Sequence, residues 1–327
     1  MNIDSTNANI KAARYGFLLL PNYSMIAFSS AIEVLRMANR LRKEELYEWP
    51  IYTMTGEPVA ASNGLLINSD AHINQAGDLD ALFVCSGIRV AKVWNEPLRQ
   101  CLQKLGQKKI VLGGICTGTY LLAKAGLLDG YRATIHWENM ASLREIAPNV
   151  KVTEELFELD RDRYTVSGGT ASLDMMLQLV NRKYGKELAA SVSEQFVCDR
   201  MRGAYDKQRI PLKLLLGSNQ PKLTEAVELM EANLEELLNL DDLASLVGIS
   251  RRQLERLFRK YLHCVPRRYY LDLRLKKARQ LLLQTSESVS EIAIACGFVS
   301  SSHFSKSYRE IFGLSPREER RLQQQQI

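Results

Sequence analysis

The chain has 327 residues, more than a single hydrophobic core ordinarily organises, and this length predicts two domains. Its hydrophobic content of 46% and charged content of 24% are typical of a soluble globular protein. No apolar run approaches the ~18 residues of a membrane span, and the polar start, MNIDSTNANIKAAR, lacks the apolar segment of a secretory signal. We therefore expect a cytoplasmic protein that does not enter the membrane.

The six cysteines are scattered, with no CxxC pair and no cluster with histidine. They are Cys85, Cys101, Cys116, Cys198, Cys264 and Cys296. In a cytoplasmic protein this spacing argues against disulfides and structural zinc. We therefore expect no metal site and no cofactor, and we expect most of the cysteines to be small buried apolar residues.

In the first 200 or so residues, short apolar runs alternate with stretches of helical periodicity. The predicted strands lie in RYGFLLLP, WPIYTMT, ALFVCSG and KKIVLGGI, with a hairpin in KVTEELFELDRDRYTVSGG. The predicted helices lie in SSAIEVLRMANRLR, EPLRQCLQKLG, TYLLAKAGLL and SLDMMLQLVNRKYG. Strands that alternate with helices of this length indicate a mainly parallel sheet covered on both faces.

The texture changes near residue 205, where two prolines and a Gly-Ser-Asn cluster interrupt any period. From Pro221 onward the pattern is helical throughout. The predicted organisation is a disordered tail (1–11), an α/β domain (12–205), a linker (206–220), an all-α domain (221–322) and a glutamine-rich disordered tail (323–327).

Positive charge is concentrated between Ser250 and Arg279, where only Glu255 and Asp272 oppose eleven basic residues. The basic residues are Arg251, Arg252, Arg256, Arg259, Lys260, Arg267, Arg268, Arg274, Lys276, Lys277 and Arg279. A local cationic face of this kind is suited to phosphate backbones. The alternative is a solvated helical surface.

Two segments of the all-α region repeat one pattern: LDDLASLVGISRRQLERLFRKYLHCVPRRYY and VSEIAIACGFVSSSHFSKSYREIFGLSPREE. Each has a small residue in a short helix, then a glycine, then a serine that opens a second amphipathic helix. The small residue allows close helix crossing, the glycine provides the turn and the serine can cap the second helix, so the pattern predicts two helix-turn-helix units.

The exposed positions of the two second helices carry hydrogen-bond donors suited to base edges and phosphates in a major groove. The candidate DNA-binding residues are Arg251, Arg252, Gln253 and Arg256 in the first unit and Ser301, Ser302, His303, Lys306 and Arg309 in the second. The alternative is a helical packing module with a charged surface.

These last hundred residues resemble the AraC/XylS-type DNA-binding domain, above all in SVSEIAIACGFVSSSHFSKSYREIFGLSP and in the connecting helix RRYYLDLRLKKARQLLLQT. The first copy has His263 where the second has Gly313, and histidine tolerates a left-handed backbone better than most residues. The resemblance implies double-stranded DNA as the partner, with two recognition helices in successive major grooves about 10 bp apart.

The first 200 residues resemble the PfpI/ThiJ-like, glutamine-amidotransferase-like proteins of flavodoxin-type fold, in YGFLLLPNYSMIAFSSAIEVLRMAN, VLGGICTGTYLLAKAGLLDGYRATIHW and TVSGGTASLDMMLQLV. Fused to an AraC-type domain, such a unit is similar to the GlxA-like transcriptional regulators. The expected fold is therefore an α/β flavodoxin-like parallel-sheet sandwich followed by an all-α domain with two helix-turn-helix motifs.

In enzymes of this superfamily the cysteine at the strand-helix bend, here Cys116, is a nucleophile. The predicted helix 117–125 begins at this cysteine, and a helix N-terminus would lower the pKa of the thiol. The turn at Ser86-Gly87 could bind an oxyanion at the carboxyl end of a neighbouring strand.

A proton acceptor for the thiol is harder to find in the sequence. Thr117 follows the cysteine where peptidase members have histidine, and Ala27 stands where many relatives carry a carboxylate. Glu33 lies two helical turns further on. His136 matches a histidine found near the cysteine in non-peptidase relatives.

Three readings of Cys116 stay open: a ligand-pocket residue in a sensor, a small residue kept for the geometry of the bend, or a reactive nucleophile or redox sensor. We expect no catalytic residues and a small-molecule site at Ser86, Gly87, Cys116, Thr117, His136, Trp137 and Glu138. Indole and carboxylate together suit a cationic ligand.

By resemblance the protein is a ligand-responsive transcriptional activator of small nitrogenous metabolite catabolism, with an amino acid, betaine or carnitine as effector. Family analogy also implies a homodimer and RNA polymerase as a partner. The alternative is a cysteine-dependent hydrolase or amidotransferase-like enzyme, or a redox sensor, with an appended DNA-binding domain.

Overall fold

In the computed structural model, the structure describes residues 11–198, 200–206, 208 and 220–325. The chain forms two compact units, one extending to Gln208 and the other beginning at Arg209. No helix in the described ranges is long and apolar enough to cross a membrane. In the same ranges, no group of three or more histidine, cysteine or carboxylate side chains could hold a metal ion.

The first unit is built on an eight-stranded sheet. The strands of this unit are β1 (Ala13–Leu19), β2 (Tyr47–Glu48), β3 (Ile51–Thr53), β4 (Val59–Ala60), β5 (Leu66–Ile67), β6 (Ala71–His72), β7 (Ala81–Ser86), β8 (Val111–Cys116), β9 (Arg132–Ala133), β10 (Lys151–Val152), β11 (Phe157–Asp160) and β12 (Arg163–Val166). The strand order in the large sheet is β11-β12-β8-β7-β1-β3-β6, with β2 paired to β1. All pairings in this sheet are parallel except the β11–β12 hairpin. The remaining four strands form two small two-stranded sheets.

Helices cover both faces of the sheet. They are α1 (Met25–Arg42), α2 (Val90–Val93), α3 (Glu96–Gly106), α4 (Gly118–Lys124), α5 (Met140–Ile146), α6 (Ala171–Tyr184) and α7 (Lys186–Gln195). Alternate side chains of β7 enter different cores, because Phe83 and Cys85 pack with α1, α6 and α7 whereas Leu82 and Val84 pack with α3, α4 and α5. The predicted α/β sandwich with a mainly parallel sheet is confirmed.

The second unit is helical in its described part. Its helices are α8 (Pro221–Ala232), α9 (Leu240–Leu246), α10 (Arg251–Leu262), α11 (Pro266–Gln284), α12 (Val289–Ala295), α13 (Ser301–Phe312) and α14 (Pro316–Gln325). Residues of α8, α9, α10 and α11 form one apolar core, in which Leu254 and Phe258 are fully buried. Helix α11 is the predicted long connection between the two repeats.

Three of the predicted boundary segments fall partly on described residues. In the predicted linker (206–220), Gln208 belongs to the first unit, because its side-chain amide donates to Thr134 Oγ1 and to the carbonyls of Ile135 and Glu155, each at 3.0 Å. Helix α14 includes residues 323–325, which were expected in a disordered tail. Residues 1–10, 207, 209–219 and 326–327 lie outside the described residues, so the predictions for them stay predictions.

Candidate functional site

The lone cysteine stands at a sharp bend between β8 and α4. Cys116 is the last residue of β8, and its φ of 58° lies in the left-handed region that side chains other than glycine rarely enter. Two glycines allow the helix to follow so closely. A Cβ on Gly114 would lie 2.6 Å from the Thr119 nitrogen. One on Gly118 would lie 1.9 Å from the carbonyl oxygen of Val84.

The thiol is enclosed by backbone on its other side. Gly168 follows β12 with φ of +103°, and a Cβ there would lie 2.8 Å from the Cys116 Cβ and 3.0 Å from its Sγ. Only 7% of Cys116 is exposed. The bend and the loop after β12 are therefore packed together, and only glycine fits at position 168.

Ser86 and Gly87, the predicted site residues at the end of β7, adjoin the bend at Cys116. Ser86 pairs with Cys116 across the β7–β8 register, and the Thr117 hydroxyl donates to the Gly87 carbonyl at 2.7 Å. Ser86 is fully buried, and its Oγ has no hydrogen-bond partner among the described residues. A buried hydroxyl without a partner is unusual in a folded protein.

The segment that carries His136 reaches the same edge of the sheet. The N–H of Thr134 donates to Thr165 Oγ1 at 2.9 Å, and Thr165 pairs with Gly114, two residues before the cysteine. His136 begins a short 3₁₀ turn over residues 137–139.

The three predicted pocket residues of this turn lie side by side. The Nδ1 of His136 is 3.7 Å from Glu138 Oε2. Burial lowers the pKa of His136, although Glu138 acts in the opposite direction, so the imidazole is neutral at pH 7. Trp137 lies beside the imidazole, with ring centroids 5.6 Å apart, and is 36% exposed.

The expectation of a lowered pKa for the Cys116 thiol is wrong, because its pKa is raised. Burial is the main cause that raises the pKa of Cys116 to about 11; the Glu138 carboxylate acts in the same direction, and a hydrogen bond from the Thr117 backbone opposes them only in part. Desolvation outweighs the helix terminus because the thiol lies inside the bend. At neutral pH the side chain is therefore a neutral thiol.

The start of α1 offers no base to this thiol. Ala27 is fully buried and has no titratable group. The carboxylate of Glu33 is held by Arg36 one turn along the helix, at 2.6 Å. Arrangements that activate a nucleophilic cysteine lower its pKa, whereas the pKa of Cys116 is raised.

The first helix-turn-helix is formed by α9 and α10. Ala244 is buried at the helix crossing, Gly248 turns the chain with φ of +69°, and the Ile249 N–H donates back to the Ala244 carbonyl at 3.0 Å. Ser250 caps α10, since its Oγ accepts from the Gln253 N–H at 3.3 Å and the Gln253 side chain accepts from the Ser250 N–H at 2.8 Å. This is a capping box.

The second helix-turn-helix, formed by α12 and α13, repeats these contacts. Ala293 is buried, Gly297 has φ of +72°, and the Phe298 N–H donates to the Ala293 carbonyl at 2.8 Å. Ser300 accepts from the His303 N–H at 3.4 Å. The predicted roles of the small residue, the glycine and the capping serine in the two repeats are therefore confirmed.

The two second helices expose the predicted donors and bury the predicted anchors. The exposed residues include Arg251, Arg252, Gln253, Arg256, Ser301, Ser302, His303, Lys306 and Arg309. Leu254 and Phe258 of α10 and Phe304 and Tyr308 of α13 are fully buried. His263 ends α10 with φ of 53°, in the left-handed conformation expected from its equivalence to Gly313.

The prediction that all eleven basic residues form one cationic face is wrong in part, because carboxylates from inside and outside the segment pair with several of them. The pairs are Arg251 with Asp241 and Glu255, Arg259 with Glu255, Arg268 with Asp272 and Arg279 with Glu319. In the described part of the chain, Arg252, Arg256 and Lys306 have no ion pair, whereas Arg309 pairs with Glu318 at 2.8 Å.

Arg274 is a structural residue that sequence reasoning counted only as a charge. Its Nε donates to the Cys296 carbonyl at 2.7 Å, its Nη2 donates to the Gly297 carbonyl at 2.8 Å, and its guanidinium lies 3.9 Å from the centre of the Phe298 ring. Arg274, on the connecting helix α11, therefore holds the turn of the second helix-turn-helix in place.

Glu319 of α14 was also missed. Its two carboxylate oxygens accept from Arg279 of α11 at 2.7 Å and from the Tyr308 hydroxyl of α13 at 2.7 Å. The side chain is only 11% exposed. This contact fixes α13 against the connecting helix, and no periodicity in the sequence indicates it.

Sequence profiles of two known families match this architecture. The DJ-1/PfpI family matches residues 24–182, and a helix-turn-helix domain matches residues 243–322. A crystal structure of an AraC family transcriptional regulator from Pseudomonas putida superposes with a TM-score of 0.52 and 34% identity, over 56% of this chain and 99% of that one.

Relatives that span both units are transcriptional regulators. The chain is 53% identical over 308 residues to the HTH-type transcriptional regulator GbdR of Pseudomonas aeruginosa, across 94% of this chain and 84% of that protein. It is 34% identical over 318 residues to the HTH-type transcriptional regulator GlxA of Rhizobium meliloti, across 97% of each. The expected DNA-binding regulator is therefore confirmed, and the chain belongs to the family of helix-turn-helix transcriptional regulators that join a DJ-1/PfpI domain to an AraC-type DNA-binding domain.

Proposed function

We propose that the protein activates transcription when a small nitrogenous effector binds at the bend of its first unit, and that α10 and α13 read its operator from successive major grooves. The observation that carries the DNA placement is the repeated, capped helix with exposed donors at equivalent positions. Arg251, Arg252, Gln253 and Arg256 would contact one half-site, and Ser301, Ser302, His303, Lys306 and Arg309 the other, about 10 bp away.

Within this set the residues have different roles. Arg252, Arg256 and Lys306 are unpaired donors, as described above, and would contact bases or phosphates directly. Arg251 is already held by Asp241 at 3.1 Å and by Glu255 at 3.2 Å, so it would present one fixed face of its guanidinium to a phosphate. Arg309 would first have to share or leave Glu318.

Binding to a promoter fragment tests this placement. Arg252→Ala and Lys306→Ala in the full chain are expected to weaken specific binding about 10- to 100-fold if each removes a good base contact. Lys109→Ala, an equal loss of charge on an exposed residue of the other unit, serves as the matched control. Equal affinity for all three variants would reject the placement of the two helices.

We propose that the effector site comprises Ser86, Gly87, Cys116, Thr117, His136, Trp137 and Glu138. The orphaned Ser86 Oγ supports a polar contact, and the partly exposed Trp137, followed in sequence by Glu138, supports a cationic group such as an amine or quaternary ammonium. An amino acid, betaine or carnitine has both kinds of group. The neutral thiol supports binding rather than turnover, so we propose no catalytic step.

A thermal-shift screen of the full chain against amino acids, betaines and polyamines tests the effector site, because a ligand that binds the native state raises the unfolding midpoint. Trp137→Ala and Glu138→Gln are expected to abolish the shift, whereas Glu154→Gln, at a carboxylate whose side chain is 80% exposed, is expected to keep it. Cys116→Ala should retain the response. Turnover of the ligand that disappears in Cys116→Ala would favour the enzyme.

Gln208 links the predicted effector site to the end of the first unit. Gln208 is bound to Thr134 and Ile135, which immediately precede the pocket residue His136. We propose that occupation of the pocket shifts this segment and so alters the DNA-binding activity of the second unit. A homodimer, contact with RNA polymerase and a cytoplasmic site of action are further parts of the proposal, since the target is DNA and the relatives are transcriptional regulators.

A further inference from the structure

The two helix-turn-helix units are not identical, because the second turn is one residue longer. Six positions separate Ala244 from Ser250, and seven separate Ala293 from Ser300. Ile249 and Phe298 are equivalent, since each donates its N–H to the carbonyl of the buried alanine. The added residue is therefore Val299, between the buried Phe298 and the capping serine.

Among the described residues of the DNA-binding unit, Val299 has the most exposed large apolar side chain. Its relative exposure is 105%, whereas the next in the described part of that unit, Ile294, reaches 62%. The residues that follow it, Ser300 to His303, are all exposed and polar. An isolated apolar side chain thus stands at the polar N-terminal end of α13.

This end of a recognition helix is the part that approaches base edges in the major groove. The only apolar group that the groove presents there is the C5-methyl of thymine, while all other edge groups are donors or acceptors. Two methyl groups of a valine match that feature, whereas the neighbouring serines match donors and acceptors.

We propose that Val299 reads the C5-methyl group of a thymine in the half-site bound by the second helix-turn-helix. The proposal depends on the placement of α13 in the major groove. The first helix-turn-helix lacks a counterpart to Val299, so the preference for thymine is confined to one half-site. The second helix-turn-helix would therefore distinguish thymine by an apolar contact, in addition to the cationic contacts that the first helix-turn-helix would make with its own half-site.

Replacement of single thymines by deoxyuridine tests the proposal, because it removes one methyl group and leaves base pairing intact. The probe is a duplex selected from random sequence by the wild-type full chain. Burial of one methyl group corresponds to about a fourfold change in Kd. We expect one position at which deoxyuridine weakens wild-type binding by about that factor but leaves binding of Val299→Ser unchanged.

Two controls separate the possible outcomes. Val265→Ser removes a partly exposed valine outside the recognition helices and should keep the wild-type deoxyuridine profile. Because Val299 makes no buried contact, Val299→Ser should also keep the wild-type unfolding midpoint. A deoxyuridine profile that is the same for wild type and Val299→Ser would overturn this inference.

The placement of α13 is tested separately by Lys306→Ala. If Lys306→Ala weakens binding and Val299→Ser leaves the profile unaltered, α13 lies in the groove and only the role of Val299 is rejected. If Lys306→Ala also binds as wild type does, the placement itself is rejected.

Discussion

The Arg274 guanidinium donates to the carbonyl oxygen of Gly297 at 2.8 Å, so the connecting helix α11 holds the turn of the second helix-turn-helix. The same side chain donates to the Cys296 carbonyl and lies over the Phe298 ring. Burial lowers the pKa of Arg274 from its ordinary value, but an arginine guanidinium stays protonated in proteins. Arg274, although it is basic and lies in a DNA-binding domain, thus has a structural role in the second helix-turn-helix.

Arg274→Met is expected to destabilise the second unit by about 1–3 kcal/mol, because two buried carbonyls lose their donor. Lys276→Met on the same helix removes equal charge from an exposed position and should change stability by less than about 0.5 kcal/mol. Helical circular dichroism during urea unfolding measures both. Equal stability of the two variants would show that the turn does not depend on Arg274.

The two adjacent glycines after β12 give a matched pair of substitutions. Gly168→Ala is expected to destabilise the first unit strongly, since its Cβ would meet the Cys116 Cβ at 2.8 Å and its φ is +103°. Gly169→Ala has φ of +56° and nothing within 4 Å, so its cost is only the left-handed backbone, about 1–2 kcal/mol. All three tryptophans, Trp49, Trp94 and Trp137, lie in the first unit, so their fluorescence follows its unfolding. The interpretation fails if Gly168→Ala is the milder change.

Cys116 is expected to resist alkylation and peroxide at neutral pH. With a pKa of about 11, only about one thiol in a thousand is ionised at pH 8, and the fraction rises tenfold per pH unit until that pKa. Iodoacetamide labelling followed by mass spectrometry, with half-buried Cys264 as the internal comparison, measures this. Faster labelling of Cys116 than of Cys264 at pH 7.5 would restore the redox sensor as an alternative.

The same shift predicts how stability depends on pH. The folded protein holds the Cys116 proton more tightly than the unfolded chain, whose cysteine pKa is about 8.5. The contribution to the free energy of unfolding is therefore fully present below about pH 8.5 and is lost as the pH rises toward 11. Cys116→Ala should flatten this part of the alkaline stability profile.

Gln208→Ala is expected to keep effector binding and weaken the transcriptional response, because it removes the tie between the pocket segment and the chain that leaves the first unit. Effector binding is followed by the thermal shift and the response by a reporter gene. Gln103→Ala, at a glutamine of α3 whose side chain accepts from Arg99 one turn away at 3.1 Å, provides the control. A full response from Gln208→Ala would remove this route of communication.

The two helix-turn-helix motifs could be predicted from the sequence, because their caps and turns depend on residues that are close in sequence. A serine caps the helix that follows it, a glycine turns the chain where it stands, and helical spacing separates Leu254 from its exposed neighbours. The left-handed His263 could be predicted from its counterpart Gly313 for the same reason. The alternation of strands and helices likewise indicated the parallel sheet, whose strand order only the structure supplied.

Only the tertiary structure decided which basic side chains are engaged across separate helices and how reactive the Cys116 thiol is. Arg251 and Arg252 are adjacent in sequence, yet Asp241 and Glu255 pair with the first alone, and Arg279 is engaged by Glu319, 40 residues further on. The helix that begins after Cys116 indicated an activated thiol, but burial of the bend raised its pKa instead. The pairs of Arg251 and Arg259 with Glu255 and of Arg268 with Asp272 follow helical i,i+4 spacing. Ion pairs between separate helices and the desolvation of the thiol depend instead on groups that folding brings together from distant segments, and local sequence patterns do not contain that information.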